Sequence, residues 1–128
     1  MIELDYKKDS ELFNETALGW AEKIGSGVKS TQIRKFYDQV LELNNKAKHS
    51  NDFDSEILPF VKMLNSKVAY ASSRSSAGGK LINKAFVDMM NSCIGQVNSK
   101  DSLGVFKLFF ESVIGFHKSI EENKKGRY

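Results

Sequence analysis

The side chains able to do chemistry form a sparse group and an extended one. The sparse group is the catalytic kind. The chain has two histidines, His49 and His117, and one cysteine, Cys93. His49 lies in the polar stretch HSNDFD and His117 in an apolar run, and neither has a partner at metal-ligand spacing. Cys93 stands among Met89, Met90, Ile94 and Val97, the surroundings of a buried thiol, and it has no His or Asp near it in sequence to activate it. The carboxylates are scattered, with no pair placed for acid–base work. Gly79-Lys80 does not complete a nucleotide-binding loop, because Arg74 stands where glycine is needed and Leu81 where Ser or Thr is needed. The expectation is a chain without catalysis, and with no cofactor, metal or small-molecule substrate.

The extended group is cationic. Arg34 and Lys35 lie near the start of the stretch Ser30–Lys48, where a helix dipole favours anions over cations. They are either solvated surface charges or contacts to a phosphate. Met63, Lys67, Tyr70 and Arg74 follow at i, i+4, i+7 and i+11, a stripe of two cations around a tyrosine. It is either a snorkelling rim of the core or a basic surface with an aromatic in it. Arg74 and Lys80 flank SSRSSAGG ahead of the next helical pattern, where a phosphate could also be held. The net charge of +3 identifies no partner, but its distribution is uneven. Residues 1–27 carry three Lys/Arg against six Asp/Glu, whereas residues 28–100 carry eleven against six. A basic middle is a hint of an anionic partner.

The elements that must position these residues read as helices. Ile33, Phe36, Tyr37, Val40, Leu41 and Ala47 make one stripe along Ser30–Lys48, with Ser30 or Thr31 as the cap. A preceding helix is expected from about Ser10 to Ile24, with Phe13, Ala17, Trp20, Ala21 and Ile24 inward and Gly25–Gly27 as its stop. A third starts at Asp52 or Asp54, keeps Pro59 near its first turn, and buries Ile57, Val61, Leu64, Val68 and Ala71. A fourth, from Lys80 to Val97, buries Ile82, Ala85, Phe86, Met89, Met90, Cys93, Ile94 and Val97. A fifth, Ser102 to Glu122, has an apolar face wider than one neighbour covers, running from Phe106 to Ile120, so it is either a central helix or a protein-binding one. The fold class is all-α: a single domain over residues 1–128, a compact bundle of about five helices, with 72–79 a flexible linker and 1–9 and 123–128 flexible ends. No apolar run is long enough for a membrane, the start lacks the order of a signal peptide, and a lone cysteine suits a reducing cytoplasm.

Three segments taken together, TQIRKFY at 31–37, ILPFVKML with KVAYASSR over 57–74, and FKLFFESVIGFHK at 106–118, resemble the small helical subunit of type III-A CRISPR–Cas effector complexes, the Csm family. The match spans roughly residues 30–120. Where the family segment carries a glycine before the arginine, this chain has Ser73. The resemblance implies a non-catalytic bundle, stacked in several copies along the guide RNA and its target, beside backbone and large subunits. It implies an RNA face containing Arg34, Lys35, Lys67 and Arg74, with Lys62 and Lys80 added from their position. A support for a duplex of arbitrary sequence should hold phosphates and leave the bases unread. The rival reading is an all-helical adaptor that binds only proteins through the wide face of the last helix.

Overall fold

The structure is a computed structural model and describes residues 2–76 and 79–125, with the backbone alone at 75, 76, 79, 80, 124 and 125. A π-turn at Leu12–Thr16 leads into α1, Ala17–Ile24, and a 3-10 turn at Gly25–Gly27 leads to α2, Ser30–Ala47. Then come α3, Phe53–Glu56, and α4, Leu58–Ser73. A two-residue antiparallel pair, β1 at Ser75–Ser76 and β2 at Gly79–Lys80, precedes α5, Lys84–Gln96, and α6, Lys100–Lys125. The protein is an all-α bundle, as its periodicity requires.

The widest apolar face lies at the centre. α6 packs chiefly on α1 and α2, and α5 packs mainly on α4. Phe106, Phe109, Phe110, Val113 and His117 of α6 are buried. Most of the wide face is therefore spent inside the bundle, with Ile114, Phe116 and Ile120 half-buried at its edge. Phe110 is its hub: its ring lies 5.6 Å from Tyr37 of α2, 6.2 Å from Phe86 of α5 and 5.9 Å from Phe106. His117 reaches the turn between α1 and α2, with Nε2 2.7 Å from the Gly25 carbonyl. Gly25 has φ +51°, a left-handed value that favours glycine. Asn83 holds the same turn through Nδ2, which donates to the Ile24 carbonyl at 2.9 Å, while its Oδ1 accepts from Phe86 N and caps α5.

Several boundaries differ from the sequence expectation, each for a local reason. The π-turn places Leu12 five residues before Ala17, so Leu12 is fully buried and Phe13 only half-buried. α2 begins after Lys29 with no side-chain cap, so neither Ser30 nor Thr31 caps it. The expected third helix is two: Asp52 caps α3 by accepting from Ser55 N, and the chain breaks at Ile57 before Pro59, which lacks the N–H that would continue the ladder. α5 starts at Lys84 and not Lys80, because the β pair and the Asn83 cap occupy the intervening residues. Of the 72–79 stretch, Ser72 and Ser73 end α4, and residues 77–78 lie outside the described residues, as do 126–128 of the tail. The N-terminal residues, expected to be loosely held, pack against α5: Ile2 and Leu4 are buried, Gln96 Oε1 accepts from Leu4 N at 2.9 Å, and Gln96 Nε2 donates to the Ile2 carbonyl at 3.1 Å.

The α2–α6 contact carries a titratable bond. Tyr37, only 4% exposed, donates its hydroxyl to Glu111 Oε1 at 2.9 Å. Burial first, and then Glu111, push its pKa from 10.0 to about 12. The same hydroxyl bond, helped by Lys107, holds the Glu111 carboxyl below its usual range. A pKa raised on folding stabilises fully below the unfolded value, so the Tyr37 contribution is intact below pH 10 and is lost as pH rises through about 12. Glu111, whose pKa is lowered, contributes above its unfolded value and loses that contribution as pH falls. Phenolate absorbance should therefore show a late ionisation near pH 12 that Tyr37→Phe removes. Loss of all tyrosine protons in one step near pH 10 would contradict the bond.

Candidate nucleic-acid interface

The catalytic candidates do not converge. Cys93 is fully buried in α5, and burial drives its thiol pKa far upward, away from the reactive thiolate. His117 is buried against the Gly25 carbonyl, and His49 is exposed at the end of α2. Among the described residues no three His, Cys, Asp or Glu side chains are grouped to hold a metal. No helix is long and apolar enough to cross a membrane.

The cations are arranged differently. α4 buries Val61, Leu64, Val68 and Ala71 on one side. Successive residues of a helix turn by about 100°, so Phe60, Met63, Lys67, Tyr70 and Arg74 line one flank beside that seam. All five are exposed, with Tyr70 at 64%, Phe60 at 50% and Met63 at 47%. The Arg74 guanidinium lies over the Tyr70 ring, 5.4 Å from its centroid. This flank faces α2: Lys67 Nζ donates to Gln39 Oε1 at 2.6 Å, and Gln39 Nε2 donates to the Lys35 carbonyl at 3.4 Å. Lys35 and Gln39, four apart, share a face of α2. Between the two helices runs a groove of about 280 Å³ lined by Leu43, Lys46, Phe60, Met63 and Lys67 among others.

The structure thus brings Lys35, Lys67 and Arg74 to one flank, and among the described residues none of the three forms a salt bridge. It separates Arg34 from them. Adjacent residues on a helix diverge, and Arg34 turns toward the α6 side, where its guanidinium lies 5.2 Å from the Tyr37 ring and its Nε donates to Asp38 at 3.2 Å. That ion pair is exposed and weak, worth about 0.3–0.5 kcal/mol. Lys62 points to the other side of α4, where Nζ donates to the Ile94 carbonyl at 2.9 Å and satisfies the C-terminal end of α5. The Lys80 side chain lies outside the described residues. Trp20, expected inward on the first helix, is half-buried, with Lys23 Nζ over its ring 4.3 Å from the centroid.

Two surface residues, Gln39 and Phe60, escape a reading by hydrophobic periodicity. A different signal marks their neighbourhood: from Ile57 to Val87 there is no Asp or Glu, while Lys62, Lys67, Arg74, Lys80 and Lys84 fall in that interval. α4 therefore carries cations with no acid of its own. In a chain where ion pairs one turn apart recur, as in Lys46–Glu42, Lys84–Asp88 and Lys107–Glu111, that omission leaves the cations of α4 without an acid one turn away.

Comparison with known proteins bears on the whole chain. No curated protein and no solved structure matches it significantly. The family described as Csm2 Type III-A matches residues 7–123, which includes the first helix as well as the three segments that carry the resemblance. The chain belongs to the Csm2 family and is a small subunit of the type III-A CRISPR complex.

Proposed function

We propose that this subunit supports RNA within the effector complex. Several copies stack along the duplex of guide RNA and target RNA and hold its phosphate backbone without reading sequence, beside the backbone and large subunits. The chain performs no catalysis itself, and the complex serves antiviral defence in the cytoplasm. The family is one of non-catalytic structural subunits, which supports the assignment of cleavage to other members.

The observation that carries this reading is the acid-free helix α4, with Lys67 and Arg74 on its exposed flank and Lys35 across from them on α2. A duplex of any sequence offers one constant feature, its phosphates, and spaced lysines and arginines answer it. Arg34 extends the surface around α2 and exchanges a weak exposed ion pair for a phosphate. Lys80 continues it past α4 in sequence, whereas Lys62 is engaged at the end of α5 and contributes less. The protein-only adaptor draws less support from α6, since Phe106, Phe109, Phe110 and Val113 of its wide face are buried and Ile114, Phe116 and Ile120 are half-buried.

The test is a salt titration of binding between the purified subunit and labelled RNA of two unrelated sequences. Three phosphate contacts at Lys35, Lys67 and Arg74 give a log–log slope of about −2 to −3, and a fourth at Arg34 brings it to about −3 to −4. Affinity should be weak and equal for both sequences. A flat salt response, or strong preference for one sequence, contradicts the proposal.

A further inference from the structure

Tyr70 is the most exposed large apolar side chain among the described residues, at 64%. It does little for the core. It extends from the flank of α4, one turn after Lys67 and one turn before Arg74. Arg74 lies against its ring, yet the ring remains open to water with the guanidinium in place. No acid occurs on α4, so nothing on the helix itself competes for either cation. An exposed aromatic between two unneutralised cations has the chemistry of a single-strand platform: the ring offers a π-face to a base, and the cations hold the phosphates on either side.

We propose that Tyr70 stacks on an unpaired RNA base, with Lys67 and Arg74 on the flanking phosphates. This rests on the RNA reading above and deepens it. A paired base in a duplex presents its edge, not its face, so the platform distinguishes single strands from the duplex that the phosphate contacts accept. The Arg74 guanidinium, 5.4 Å from the ring centroid, sets a cation beside the phenol ring, and a π-face with a cation next to it suits any of the four bases.

The experiment uses the full chain, a single-stranded RNA carrying 2-aminopurine, and a blunt duplex of the same length. Wild type should quench 2-aminopurine at saturation. Tyr70→Ala should abolish that quenching and weaken single-strand binding about tenfold, within the range for loss of one stacked base, with duplex binding changed less than about twofold. Its salt slope should stay the same, because no charge is lost, whereas Lys67→Ala should lower the slope by about 1. Tyr70→Phe should retain quenching and affinity. Equal loss for single strand and duplex, or quenching that survives Tyr70→Ala, overturns the platform while leaving the phosphate surface standing. Failure of the wild type to bind either RNA overturns both.

Discussion

Phe110→Ala should lower the stability of the subunit by about 3–5 kcal/mol. Phe110 is fully buried, and its ring joins three elements through Tyr37, Phe86 and Phe106. Removing it deletes a large transfer contribution and leaves a cavity that the aromatic neighbours cannot close without leaving their rotamers. Each edge-on or stacked ring pair that disappears adds about 0.5–1.5 kcal/mol to the local deficit. A domain of this size loses roughly 3–5 °C of melting temperature per kcal/mol, so the expected fall is about 10–25 °C. Against a total stability of about 5–15 kcal/mol, that loss removes a large share of the margin. Phe60→Ala is the matched control: Phe60 is half exposed at the start of α4 and should cost under about 1 kcal/mol. Thermal melts followed by circular dichroism decide the matter. Similar shifts for both substitutions would mean that Phe110 is not the hub that its ring geometry describes.

The core behind that prediction is legible in the sequence because burial and periodicity are one signal. Val61, Leu64, Val68 and Ala71 repeat at helical spacing and are all buried, and so are Phe86, Met89, Met90, Cys93 and Ile94 of α5. What periodicity leaves open is how many neighbours a wide face has, since one pattern serves a central helix and a binding helix equally. Boundaries fail where tertiary or polar contacts decide them. Asn83 starts α5 because its side chain serves two elements at once, the α5 amide of Phe86 and the Ile24 carbonyl. Ile2 and Leu4 are held by Gln96, more than ninety residues away, through a bond that no local window contains.

The candidate interface was legible in part, for a geometric reason. The series Met63, Lys67, Tyr70, Arg74 lies on one helix and the residue that ends it, so its common face follows from spacing, and its members are exposed together. Arg34 and Lys35 are adjacent in sequence and so diverge by about 100° around α2. Which of the two faces α4 depends on where α4 packs, and the Lys67–Gln39 bond answers that in favour of Lys35. Lys62 looks equivalent to Lys67 in composition, but it faces α5 and donates to a helix-end carbonyl. Charge alone cannot separate a lysine that caps a helix from one that is open to a ligand.

Lys67→Ala/Arg74→Ala should leave the fold intact and weaken RNA binding by on the order of ten- to a hundredfold at moderate salt. Both residues are exposed and lack carboxylate partners among the described residues, so each substitution should shift stability by less than about 0.5 kcal/mol. The double substitution deletes the Lys67–Gln39 bond between α4 and α2, but that bond is exposed and water can take its place. The salt slope should fall by about 2, one per cation removed. Arg34→Ala, on the α6 side and already paired with Asp38, should lower it by about 1 or less. The contrast that tests place is cation for cation: Lys67→Ala alone should lower the slope by about 1 and Arg34→Ala by less, whereas a non-specific loss of positive charge would make the two equal. Within the effector complex each stacked copy carries the same change, so a modest loss per subunit accumulates along the duplex through multivalency. The reverse result, in which the double substitution unfolds the subunit while binding per folded molecule is unchanged, would make Lys67 and Arg74 structural, and the phosphate surface would have to lie elsewhere.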